Sequence, residues 1–221
     1  MGAAPVRAEP PLRVAVAANF KPTLESLNRR FTAETGIAIR LSSASTGVLA
    51  TQIRHGAPFD VLFAADAEYA AGLARLDLPG AGEPFCYAVG TLALAGGTLG
   101  DLADAGHSVA IANPATAPYG RAAMDVLARE PFAAGAGRTL VRGNNVAQAY
   151  QFWHSGAVDL ALVARAVAPP EAAPVPADWH RPLQQHALAL TADPRAARYL
   201  KWIRSDTVRS LIVEAGYQPC P

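Results

Sequence analysis

The chain has 221 residues, 51% of them hydrophobic and 17% charged, with a formal net charge of +1. That length and apolar content suffice for one large core or two modest ones. No basic stripe interleaved with aromatics appears, which argues against a nucleic-acid partner. No run approaches the ~20 uninterrupted apolar residues of a membrane span. A small anion stays possible, because local dipoles hold a dianion without net protein charge.

Residues 1–11 open with Met1-Gly2 and continue as a short, Pro-rich, unpatterned stretch, which reads as the remnant after a removed export signal or as a tag scar. Arg13-Val14-Ala15-Val16-Ala17-Ala18 is the apolar run of a buried parallel strand and ends at Asn19. A helix is predicted over Lys21 to Thr35, with Leu24, Leu27 and Phe31 on one face, Pro22 in its first turn and Gly36 as its stop. Ile37 to Leu41 is the next strand, followed by the polar cluster Ser42-Ser43-Ala44-Ser45-Thr46-Gly47 and a helix to about His55. Val61 to Ala65 is a third strand, with Asp66 opening a helix through Leu76. This alternation is that of an α/β sheet with crossover helices.

Phe85 to Ala95 is apolar and long enough to pass from one lobe to another, with Gly90 as the expected bend. The alternation then restarts. Strands are predicted at Val109–Ala112, Thr139–Val141 and Leu160–Val163, and helices at Gly120–Arg129 and Val146–Ser155. Pro169 to Asp178 carries four prolines and reads as a surface loop. Gln185 to Leu190 is a second crossover strand, and two helices close the chain, the first opened by Asp193-Pro194 and the second capped by Ser205. Two α/β units joined by two crossovers describe a hinged, two-lobed protein.

Ligands of open α/β sheets bind beyond the carboxyl ends of the strands. Four strand-to-helix turns there carry small or neutral polar residues: Ala18-Asn19-Phe20, Ser45-Thr46-Gly47, Ala117-Pro118-Tyr119-Gly120 and Asn144-Asn145-Val146. A helix start leaves backbone N–H groups unpaired and adds about half a positive charge. Converging starts would form an anion site, to which Asn19, Ser45 and Thr46 could add side-chain donors. The same residue types are also ordinary caps and turn formers. No Arg or Lys stands at the centre of these turns, although Arg121 and Arg142 lie nearby. Neutral donors suit a fully deprotonated dianion better than hydrogenphosphate, whose proton needs an acceptor.

These segments resemble the periplasmic molybdate-binding proteins of ABC transporters. The resemblance is carried by Val14 to Phe20, by Ser45-Thr46-Gly47, by Gln52-Ile53-Arg54-His55-Gly56-Ala57-Pro58-Phe59-Asp60-Val61 and by Ala64-Ala65-Asp66. It continues through Asn113-Pro114, Pro118-Tyr119-Gly120 and Gly143-Asn144-Asn145-Val146, and spans roughly residues 12 to 217. It implies a type II periplasmic-binding-protein fold, α/β and two-lobed, each lobe a central sheet flanked by helices. Lobe 1 would comprise 12–88 and 187–221, and lobe 2 would comprise 89–186. It further implies a non-enzymatic solute-binding protein with no cofactor, which captures molybdate or tungstate and delivers it to a membrane permease. Carried over by position, the oxyanion ligands are Asn19 through side chain and backbone, Ser45 and Thr46, and the backbone N–H groups of Tyr119 and Val146. A periplasmic location and a monomer are expected. One branch of the family has Ser in place of Asn19 and a ligand Tyr where this chain has Ala164, so Asn19 places the chain with the other branch.

Asp66 reads as a helix cap rather than a ligand, since its carboxylate would repel a dianion. The five histidines show no metal-ligand spacing, and Trp153 reads as packing. Cys86 and Cys220 read either as two unlinked thiols or, in an oxidising compartment, as one disulfide. The rival readings are a binder of sulfate or another tetrahedral oxyanion, and a bilobal transferase. The transferase should show several Arg in the cleft turns, and this chain does not.

Overall fold

A computed structural model describes residues 9–76, 78 and 80–221. The reading of the N-terminal remnant falls mostly on residues 1–8, which lie outside the described residues. The chain runs β1 (Leu12–Ala17), α1 (Lys21–Thr35), β2 (Ile39–Ala44), α2 (Thr46–Arg54), β3 (Val61–Ala64), α3 (Ala67–Ala74) and β4 (Phe85–Gly90). It continues through β5 (Leu92–Ala95), β6 (Val109–Ala112), α4 (Pro118–Leu127), β7 (Leu140–Gly143), α5 (Val146–His154) and β8 (Leu160–Ala164). β9 (Ala173–Pro174), β10 (Leu183–Ala189), α6 (Pro194–Ile203) and α7 (Asp206–Glu214) complete it. Two five-stranded sheets result, ordered β2-β1-β3-β10-β4 and β7-β6-β8-β5-β9. Both have helices packed against them, as the α/β reading expects. No helix among the described residues is long and apolar enough to cross a membrane.

Local sequence explains the main elements. β1 is buried at every position except Arg13, as a parallel strand between two partners must be. Arg13 reaches out and pairs with Asp60, Nη2 to Oδ1 at 2.9 Å, and its backbone N–H donates to the same carboxylate at 2.7 Å. α1 buries Leu24, Leu27 and Phe31 on one face. Gly36 ends it at φ +73°, a left-handed position open to glycine without a Cβ penalty. β2 starts and ends later than the sequence suggests: Ser42, Ser43 and Ala44 pair in parallel with Ala15, Val16 and Ala17 instead of forming a turn. Backbone pairing with a central strand outweighs their turn preference.

The predicted strand over Phe85–Ala95 is two strands, β4 in the first sheet and β5 in the second. Gly90 ends β4 without a positive φ, so bending is not what selects glycine there. A Cβ at Gly90 would collide with Tyr119 Oη and Gln185 Nε2. The second crossover, β10, begins at Leu183, two residues before the predicted start. The Pro-rich loop contains the two-residue strand β9, which pairs with β5. Ser205 occupies the N-cap position of α7, but its hydroxyl makes no capping bond.

α6 and α7 return to the first sheet, where Tyr199, Ile203, Val208 and Ile212 join the core of Leu12, Val16, Phe31 and Phe63. The core of the second sheet, around Leu94, Ile111, Val126 and Leu162, also takes in Ala17, Ala18 and Ala65 from the strand ends of the first. The two halves therefore touch through apolar atoms at the strand ends.

Cys86 and Cys220 are joined across 134 residues. Beside them Gln218 and Val89 exchange two backbone hydrogen bonds of 2.8 Å, adding a short segment to the edge of β4. A cross-link over so long a loop restricts the unfolded chain. The double substitution Cys86→Ser/Cys220→Ser is expected to lower unfolding free energy by about 3–5 kcal/mol, measured by urea denaturation. A loss under 1 kcal/mol would show that the pair adds little to global stability.

Candidate functional site

The carboxyl ends of β1, β2 and β3 in the first sheet face those of β6 and β7 in the second, and a small cavity lies between them. The turn after β1 gives it Ala17, Ala18 and Asn19, and the turn after β2 gives Ser45 and Thr46. Ala65 follows β3, and Ala117, Pro118, Tyr119, Asn145 and Val146 come from the starts of α4 and α5. The space open to the centre of a water-sized sphere is about 10 Å³. That admits a compact ion or very few waters, against the several hundred Å³ of an organic ligand pocket. No charged side chain lines it among the described residues.

All five residues singled out from sequence line this cavity, and all are at most 4% exposed. Ala18 N–H donates to Ala44 O at 3.0 Å and Phe20 N–H to Ala17 O at 2.9 Å, but Asn19 N–H, between them, finds no acceptor among the described residues. The N–H groups of Tyr119 and Val146, in the first turns of α4 and α5, are likewise without an acceptor there. Ser45 is the N-cap residue of α2, yet its Oγ is buried with no hydrogen-bond partner. Thr46 Oγ1 accepts Ala65 N–H at 2.9 Å, which leaves its own proton to be donated. Buried polar groups are nearly always paired, so unused donors converging on one cavity point to a missing acceptor.

Asn19 differs from the expectation. Its Nδ2 donates to Gln185 Oε1 at 2.8 Å and to Tyr217 Oη at 3.2 Å, while Tyr217 Oη donates to Asn19 O at 2.8 Å. Both side-chain donors are thus committed inside the protein, and the backbone N–H is what this turn offers. Gln185 Oε1 also accepts from Tyr87 Oη at 2.8 Å, and its Nε2 donates to Tyr119 Oη at 3.0 Å. Burial pushes the Tyr87 and Tyr119 hydroxyls well above their ordinary titration range, so both stay neutral. The sequence reading missed this cluster. Gln185 stands between Gln184 and His186, so nothing local set it apart from its polar neighbours.

Contacts between the halves shut the cleft. Gly47 N–H donates to Thr116 O at 2.8 Å across it. A Cβ on Gly47 would lie 2.7 Å from Tyr69 Oη and 2.8 Å from Thr116 O, so only glycine permits this approach. Asp66 caps α3 by accepting Tyr69 N–H at 3.0 Å, as expected, and also accepts from Arg121 Nη2 of the other half at 2.5 Å. Arg121 is therefore spent on Asp66, and Arg142 is exposed on β7 away from the cavity. Asn145 caps α5 through Gln148 N–H at 3.0 Å. Ala164, at the end of β8, is fully buried and does not line the cavity. Trp153 packs against the second core. No group of His, Cys, Asp or Glu among the described residues is placed to hold a metal ion.

Residues 12–218 match the family described as bacterial extracellular solute-binding protein. The chain is 34% identical to the molybdate-binding protein ModA of Azotobacter vinelandii, covering 93% of this chain and 89% of that protein. It is 32% identical to ModA of Rhodobacter capsulatus, covering 92% and 86%. The solved structure of the Azotobacter vinelandii periplasmic molybdate-binding protein superposes with a TM-score of 0.86 at 34% identity, over 95% of this chain and 100% of that one.

Two effects oppose each other at Asp66. Burial raises its pKa, while the Tyr69 N–H and the Arg121 guanidinium lower it, and burial dominates. A carboxyl whose folded pKa exceeds its unfolded one adds stability fully below the unfolded value and loses it as pH rises through the folded value. Asp66→Asn keeps a capping oxygen and mimics the neutral acid. It is expected to match the wild type in acid and to become the more stable protein as pH rises through the carboxylate range, by denaturant melts from pH 3 to 7. The opposite trend would mean that the Arg121 pair outweighs desolvation.

Proposed function

We propose a ligand and a mode of capture for this chain, which belongs to the bacterial extracellular solute-binding protein family. It is a solute-binding protein rather than an enzyme. Its ligand is a tetrahedral oxyanion, molybdate or tungstate, enclosed between the lobes and passed to an ABC transporter permease from the periplasm. The relatives named for molybdate support the ion, and the periplasmic relative supports the compartment.

The observation that carries the reading is the buried, unpartnered Ser45 hydroxyl beside the open N–H groups of Asn19, Tyr119 and Val146, around a cavity without charged side chains. Each is a donor, and together they ask for one compact acceptor of negative charge. Thr46 adds the proton of its hydroxyl. Helix starts at Thr46, Pro118 and Val146 add the positive ends of three dipoles. No carboxylate among the described residues lines the cavity to receive the proton of hydrogenphosphate, which disfavours that ion. Sulfate has the same charge and shape as molybdate but is smaller. It cannot reach every donor at once, and each buried bond left unmade costs about 1–3 kcal/mol. Molybdate and tungstate are nearly equal in size and are bound alike.

Residues 12–88 with 187–221 move as one lobe and 89–186 as the other, in a monomer, except that residues 89–90 and 183–186 pair within the first sheet as parts of β4 and β10 and so move with the first lobe. The open form takes up the ion, and closure brings α4 and α5 onto it and excludes water, which strengthens each charge-assisted bond.

Ser45→Ala is expected to weaken molybdate binding about tenfold to a hundredfold, the worth of a hydrogen bond to a charged acceptor, measured by calorimetry. Without ligand the same variant should unfold no more easily than the wild type, because the lost hydroxyl has no protein partner. Asn19→Ala should also weaken binding, by freeing the turn that aims its N–H. Wild-type affinity in both variants would remove the site assignment.

A further inference from the structure

Gln185 is fully buried on β10, where pairing with β4 shifts register between Gln185 and His186. It does not line the cavity. Its carboxamide nevertheless joins three side chains, and two of them, those of Asn19 and Tyr119, belong to residues that do. Oε1 accepts from Asn19 Nδ2 and from Tyr87 Oη, both at 2.8 Å and both attached to the first sheet. Nε2 donates to Tyr119 Oη at 3.0 Å, on α4 against the second sheet. Asn19 and Tyr119 line the cavity from different halves, each with a backbone N–H that has no acceptor among the described residues, and their side chains converge on this one amide. The other crossover clears the space: any Cβ on Gly90 would overlap both Tyr119 Oη and Gln185 Nε2.

We infer that Gln185 is a positioning residue that couples oxyanion capture to closure of the cleft, through a bond to the Tyr119 hydroxyl that exists only in the closed form. The inference rests on the oxyanion reading above. The bonds to Asn19 and Tyr87 stay within one lobe and persist when the cleft opens. The bond to Tyr119 spans the lobes and breaks when α4 swings away. A contact present in only one of two states shifts the balance toward that state. Here it lengthens the life of the closed complex without touching the ion, so its loss appears in dissociation rather than association.

Tyr119→Phe removes the bond and keeps the backbone N–H at that position. Gln185→Met removes it from the other end at similar volume. Molybdate dissociation and association are followed by stopped-flow fluorescence, and the unfolding of ligand-free protein by denaturant melts. Tyr119→Phe is expected to dissociate about fivefold to thirtyfold faster, the rate equivalent of one ordinary hydrogen bond, with association changed less than about threefold. Its ligand-free stability should equal that of the wild type, because the bond is absent from the open form. The double variant should dissociate like Gln185→Met alone, since both changes delete the same contact. A Tyr119→Phe protein with wild-type dissociation, or one destabilised equally with and without ligand, overturns the inference and leaves the ligand reading standing. A wild-type protein that binds no oxyanion removes the ligand reading, and the inference with it.

Discussion

Everything at the centre of this molecule follows from a surplus of hydrogen-bond donors that the protein itself leaves unmatched. A buried N–H or hydroxyl without an acceptor is costly in the low dielectric of an interior. Ser45 Oγ and the residues Asn19, Tyr119 and Val146, whose N–H groups lack an acceptor, share one cavity, and no carboxylate among the described residues lines it. The arrangement is unfavourable empty and favourable around a dianion. On the oxyanion reading proposed above, that difference is the source of affinity. On that reading a chain of nearly zero net charge holds a doubly negative ion because the positive potential comes from oriented peptide groups rather than from cationic side chains.

The fold exists to bring those donors together and to keep water out. Parallel strands in each half end on the same side, so each half delivers its helix starts to a common face. Neither half is sufficient alone, since Asn19, Ser45 and Thr46 come from one and Tyr119 and Val146 from the other. Beside the apolar contacts at the strand ends, polar contacts of different kinds hold the halves together: among them are a main-chain bond from Gly47 to Thr116, an ion pair from Arg121 to Asp66, and the amide junction at Gln185. Arg121 illustrates the economy of the site. Its charge is neutralised by Asp66 at the rim, so it closes the cleft without altering the uncharged character of the cavity.

Much of this was legible in the sequence. Short apolar strands, amphipathic helices such as α1 and the cap residues at Asp66 and Asp193 depend on near neighbours, and the element order follows from them. The cavity residues were legible too, because strand-to-helix turns are where such sheets bind ligands. Features set by distant partners were not. Asn19 looked like a side-chain donor until its partner, Gln185, appeared 166 residues away. Gly90 looked like a bend and instead makes room for a tyrosine hydroxyl from another helix. Ser42 and Ser43 looked like a turn because their pairing with β1 is not a local property. The two cysteines allowed a bond but could not require one, since only the fold brings residues 86 and 220 together.

The stapled tail has one more effect. β4 is the last strand of its sheet, and Gln218 occupies part of its outer margin through Val89. At the opposite margin, β2 shows Arg40, Ser42 and Ser43 to solvent, a polar surface that discourages pairing with another chain. Cutting the tether would free the tail to leave β4 and bare main-chain groups able to recruit a neighbouring molecule. The bond that anchors the terminus is therefore also a guard against self-association, protecting the protein from its own copies.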